Sequence, residues 1–207
     1  MLYYSSDYAG VTSAATVALQ RFPDDFDLLQ LRASSFWQLG EIESTIEDYK
    51  QALGICEKGS KEQLSCMSAL GDLYHTQGDQ KTAFAYYDKA LKLDPGYAPV
   101  LNNYAYYISE RYPTPVKRVP KDLQKALEMS RKTIEKEPDN ATYLDTYAWI
   151  LHLMGHDLEA KAHFKHAMIH GGKESGVILR HYATVLKALG ENDLASVYSS
   201  QADRLGE

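Results

Sequence analysis

The chain has 207 residues, 44% hydrophobic and 24% charged, with a net charge of −6 and 16 tyrosines. That composition is enough to bury a core and is unlike a disordered chain, while the acidity argues against a nucleic-acid backbone as partner, which needs clustered Lys and Arg. No apolar run approaches the roughly 20 residues that span a bilayer, and two cysteines exclude a disulfide-built scaffold or a four-thiolate zinc site.

Taken in chain order, a helix from about Asp7 to Arg21 closes at Pro23. Further breaks follow at Pro95 and Pro138. Glycines able to end a helix stand at Gly40, Gly78, Gly155 and Gly190. Small residues recur at Thr45, Ala83, Ala126, Ala160 and Ala195. All three series fit one period of about 34 residues, once two insertions are allowed. The first, around residues 57–63, is polar and lengthens a turn. The second, residues 111–120, reads R-Y-P-T-P-V-K-R-V-P. Its prolines make it stiff and non-helical. Arg111, Lys117 and Arg118 make it the most basic stretch, either a tolerated surface loop or a recognition element.

With that register the sequence resembles the tetratricopeptide repeat family, whose unit is a helix–turn–helix with a W-x2-L-G-x2-Y…A-x3-F…P pattern. The copy from Leu64 matches best, with Leu70-Gly71, Tyr74, Gly78, Ala83, Tyr87, Ala90 and Pro95, and Met67 in place of the motif's Trp. The copy from Ala141 carries Leu144, Tyr147-Ala148, Leu151, Gly155, Ala160 and Phe164. The copy from Gly176 carries Leu179, Tyr182-Ala183, Leu186, Gly190, Ala195 and Ala202. The copy from Phe26 is weaker, and the copy from Ala98 carries Leu101, Tyr104-Ala105 and Ile108, then the second insertion, then Ala126 and Pro138. The resemblance implies an all-α fold: an α-solenoid of antiparallel helix pairs in a right-handed superhelix, with about five and a half repeats. The expected units are a half-repeat 1–25 and repeats 26–63, 64–97, 98–140 with the insertion, 141–175 and 176–207. Ala33, Gly71, Ala105, Ala148 and Ala183 are expected where the first helix of a pair approaches the second. The chain starts in the second half of a repeat, its first half missing or reduced to residues 1–4. Bare helices at both ends lack the polar caps that close a solenoid.

The resemblance also implies that the first helix of each pair lines a groove. The inward positions are Gln30, Ser34 and Trp37, then Ser68, Asp72 and His75, then Asn102, Tyr106 and Ser109, then Asp145, Trp149 and His152, and finally Arg180, Thr184 and Lys187. Asn103 is placed to hold a peptide backbone amide. Exposed Trp and Tyr among polar residues suit a peptide surface, and equally suit packing on the next helix. Asp72 and Asp145 point to a neutral or basic ligand. The family's clamp for acidic C-terminal tails is absent, because its Lys and Asn positions read Gln30 and Ser34, or Ser68 and Asp72.

His166 and His170 have a spacing that chelates metal on a helix. With no acidic or cysteine ligand nearby in register, no metal site and no cofactor are expected. Cys56 and Cys66 flank one turn and are read as free thiols. No nucleophile–base pair, phosphate loop or zinc-protease motif is present, so the expected role is not enzymatic. The expected function is a scaffold that binds an unidentified protein or peptide, with no nucleic acid and no membrane span. The alternatives are an oligomerisation module that forms a homodimer through the terminal helices, and a helical arm of a larger enzyme. The phrasing resembles bacterial tetratricopeptide proteins. Residues 1–20 show no signal peptide. The expected location is the cell envelope or periplasm if the native N-terminus is missing, and the cytoplasm otherwise.

Overall fold

A computed structural model describes residues 7–206. The expectation for residues 1–4 lies outside the described residues. Among the described residues the regular structure is helical, with no strand. The helices are α1 (Tyr8–Arg21), α2 (Phe26–Gln38), α3 (Ile42–Ile55), α4 (Lys61–Thr76), α5 (Gln80–Leu93), α6 (Ala98–Ser109), α7 (Lys121–Lys136), α8 (Ala141–Leu153), α9 (Asp157–Ile169), α10 (Gly176–Ala188) and α11 (Asn192–Leu205). They form two compact units, residues Met1–Tyr97 and Ala98–Glu207. In the first, α1 to α5 pack each on the next. In the second, α6 to α11 do the same, and α8 also packs on α6 and on α10. The fold is an all-α helical-repeat solenoid.

Local chemistry sets the helix ends. Asp25, Ser60 and Asp79 accept the backbone N–H three residues on at 3.0 Å, as N-caps do. Four of the turns within helix pairs are built alike. Gly40, Gly78, Gly155 and Gly190 have φ between 78° and 83°, a left-handed conformation that L side chains resist. The residue after each glycine donates its N–H to a carbonyl five residues back, for example Glu41 to Phe36 and Asp79 to Tyr74, both at 2.9 Å. This closes the helix as a Schellman motif. The α6–α7 join has no such glycine, and residues 111–120 replace it as an irregular segment. The other insertion is shorter than expected. Only residues 56–60 lie outside helix, and Gln63 belongs to α4, where its side chain accepts the Gly59 N–H at 2.8 Å.

The small-residue series is buried throughout. At Gly71 the reason is visible, because a Cβ there would lie 2.2 Å from Tyr87 Cε1. Tyr87 is itself fully buried, so its ring depends on the missing side chain. One core cluster of the second unit joins Leu144, Phe164, Leu179, Tyr182 and Leu186. The first unit has smaller clusters around Leu29 and Leu70. It also holds a buried ion pair, Arg32 Nε to Asp48 Oδ2 at 2.8 Å and Nη2 to Oδ1 at 2.6 Å.

Candidate functional site

In the second unit three successive first helices send side chains to one place. Asp145 on α8 is buried, and its Oδ1 lies 2.9 Å from Nδ1 of His181 on α10. An ionised carboxylate only accepts, so Nδ1–H donates and the second ring nitrogen stays available. Trp149, one turn after Asp145, stacks on the same imidazole with centroids 4.1 Å apart and 16° between planes. Tyr106 on α6 comes within 6.4 Å of the His181 ring. Burial, with the negative charges of Glu110 and Asp145, raises the Tyr106 hydroxyl above its ordinary range, so it stays a neutral donor and acceptor. Asn102 lies one turn before Tyr106. It is buried, donates Nδ2 to Asn103 Oδ1 at 3.3 Å, and keeps a buried Oδ1 with no hydrogen-bond partner.

Other expected members of the face are placed elsewhere. His152 is buried, its Nδ1 2.5 Å from Asp157 Oδ1 and its ring 5.1 Å from Trp149. It joins the end of α8 to the start of α9 and supports the indole from behind. Arg180 is exposed and approaches Asp203 on α11 at 3.5 Å. Its neighbour His181 takes the inward place, because one residue along a helix turns a side chain by about 100°. His181 is the functional candidate that sequence reasoning missed. Its only signal was its place beside the inward position. Ser109 is fully buried and donates to the Tyr106 carbonyl at 2.6 Å, whereas Thr184 and Lys187 are exposed.

In the first unit, Asp72 on α4 accepts a hydrogen bond from the Tyr87 hydroxyl of α5. The Gly71 gap that admits the Tyr87 ring therefore also delivers its hydroxyl to Asp72. Ser68 is buried, and Gln30, Ser34 and His75 are half-buried. Trp37 is 44% exposed, and no ring stacks on it among the described residues. Asp72 and Asp145 thus both hold hydrogen-bond partners inside the fold.

The insertion is anchored at three points. Val116 N–H donates to the Leu153 carbonyl at the end of α8 at 2.9 Å. The Tyr112 hydroxyl donates to Asp122 at 2.6 Å, and Arg111 lies 3.5 Å from the same carboxylate. That hydrogen bond holds the Asp122 carboxyl below its ordinary range. Lys117 and Arg118 are exposed. Cys56 and Cys66 are free thiols; burial, with a hydrogen bond to Cys56, pushes Cys66 up to about 12.

The histidines of α9 correct one premise. Asp139, in the α7–α8 turn, lies 2.9 Å from His166 Nε2 and 3.3 Å from His170 Nε2. An acidic ligand is therefore near the pair. It comes from the preceding turn, where register along α9 alone could not reveal it. His163 does not join them. It sits edge-on to Tyr147 at 4.8 Å, and burial lowers its pKa.

Residues 26–95 match the family described as Tetratricopeptide repeat. No curated protein matches the chain. Among solved structures, it is similar to a tetratricopeptide repeat protein from Parabacteroides merdae, at 17% identity and a TM-score of 0.75, over 100% of this chain and 75% of that one. It is also similar to pilF of Pseudomonas aeruginosa, at 20% identity and a TM-score of 0.68, over 97% of this chain and 79% of that one. Against the Cut9–Hcn1 hetero-tetramer of APC/C the identity is 11% and the TM-score 0.79, over 99% of this chain and 38% of that one. At such identities the likeness is one of fold.

Proposed function

Since residues 26–95 match the tetratricopeptide repeat family and the chain has the fold of such proteins, we propose that it is a non-catalytic scaffold that binds a segment of a partner protein on the inner face of its second unit. The fold points to protein partners, and no helix among the described residues is long and apolar enough to cross a membrane. The observation that carries the reading is the convergence of Tyr106, Trp149 and His181 from three helices. Rings fixed by stacking lose little further freedom when a ligand docks, so their contact area converts efficiently into affinity. An apolar or amide-rich segment fits this face better than a strongly basic one, because Asp145 is already satisfied by His181.

The experiment is affinity capture with the full chain, then titration of each captured partner against a Tyr106→Ala, Trp149→Ala double variant. A loss of tenfold or more in affinity is expected. Unchanged affinity for every partner rejects the reading. A second reading rests on α11, whose outer surface exposes Leu194, Val197 and Leu205. Such a face fits a second copy of the chain. Light scattering over a concentration series tests it, a strict monomer counting against.

A further inference from the structure

The end of α9 carries donor chemistry that the peptide surface does not use. His166 lies in the last turn of α9, and His170 caps it with φ −106° and ψ 35°, just outside helical values. The two rings stand 4.7 Å apart at 58° to each other. Asp139 enters from a turn 27 residues earlier than His166. That turn is held in place from behind. Asn140 N–H donates to the Glu137 carbonyl at 3.2 Å, and its side-chain amide donates to the Glu137 carboxylate at 3.0 Å. The same Asn140 caps α8 through the N–H groups of Thr142 and Tyr143. Donor position is thus fixed by two helix ends rather than by a loose loop.

We propose that Asp139, His166 and His170 form a binding site for a divalent transition-metal ion of the zinc class. The donor set is two imidazole nitrogens and one carboxylate oxygen, a combination that zinc accepts with water in the fourth position. A tetrahedral ion about 2.0–2.1 Å from each ligand separates neighbouring donors by about 3.3–3.4 Å. Here the carboxylate oxygen stands 2.9 and 3.3 Å from the two Nε2 atoms, and all three donor atoms lie within 4.8 Å of one another. Small side-chain rotations therefore close the site without moving the backbone. Without metal, His166 Nε2 is hydrogen-bonded to the shared oxygen. With metal, the ring proton sits on Nδ1 and the Nε2 lone pair binds the ion. Two imidazoles select zinc, copper, nickel or cobalt over magnesium and calcium, which prefer all-oxygen sites. The cluster is solvent-accessible, with side-chain exposures of 63%, 41% and 33% for Asp139, His166 and His170, so an ion reaches it without local unfolding.

The test titrates the full chain with zinc by calorimetry and with cobalt by visible absorption. The expected result is one zinc per chain and a tetrahedral cobalt spectrum. His170→Gln should weaken binding by tenfold or more, and Asp139→Asn should weaken it several-fold. The exposed His156→Gln serves as a control and should change nothing. Zinc should raise the melting temperature of the parent chain and not that of His170→Gln, because an ion held between the two helix ends favours the folded state. All these positions are surface-exposed or half-exposed, so the variants stay folded. One-to-one zinc binding that survives both His170→Gln and Asp139→Asn overturns the proposal. So does the absence of saturable binding below about 1 mM.

Discussion

The two tryptophans occupy the same kind of helix in different units and meet different fates. Trp37 on α2 stands 44% exposed, with no stacked ring among the described residues. Trp149 on α8 lies flat on His181 and rests against His152, which Asp157 holds in turn. The aspartates divide the same way. Asp72 turns within its own pair to Tyr87, whereas Asp145 reaches the next first helix at His181. A repeat register gives the approximate direction of a side chain. Its partner comes from a neighbouring helix whose inward residues differ from copy to copy. Asp72 thus serves its own helix pair, whereas Asp145 serves a surface between pairs.

The largest expected effects test the packing that both units share. Leu70 and Leu179 are fully buried, and either one replaced by Ala should cost roughly 2–5 kcal/mol in urea unfolding. Equal losses would show that the repeats are packed alike and that the units differ in surface alone. Arg32→Ala should cost about 3 kcal/mol in the first unit, because it strands the buried Asp48 carboxylate. A small loss there would mean that water reaches Asp48.

Smaller effects address the inner faces. Truncating Tyr106 and Trp149 together should remove about 2 kcal/mol of partner affinity, and Trp37→Ala less than about 1 kcal/mol. The reverse order would move the docking surface to the first unit. His181→Gln keeps a hydrogen bond to Asp145 but loses the stack on Trp149, for an expected loss of about 1 kcal/mol in the same titration. The smallest effect is one of pH. Burial holds His163 below the ordinary imidazole pKa of about 6.5. As pH falls through 6.5 the unfolded chain takes up this proton first, so stability declines until the folded-state pKa is passed. His163→Gln should therefore flatten the drop in melting temperature between pH 7 and pH 5.

The helix ends were legible because each depends on a few local atoms. Gly40, Gly78, Gly155 and Gly190 close helices through left-handed backbone. Gly71 was legible as a close approach, since a single missing side chain admits a ring. The site was legible only in part. Tyr106, Asp145 and Trp149 follow from the register. His181 does not, because whether residue 180 or 181 faces inward depends on how α10 is rotated against α8. The partners of His152 and Arg180 were not legible for the same reason: Asp157 and Asp203 lie on neighbouring helices.

The sequence by itself determined the periodicity, the pairing of helices and the small residues at their crossings, since these rest on contacts within one repeat and on backbone preferences of single residues. Tertiary structure alone decided which polar groups remain available. The Asp139–His166–His170 cluster shows why. Its members sit on two turns that come together only when α8 and α9 pair. No spacing along one helix encodes the distance between donors on another.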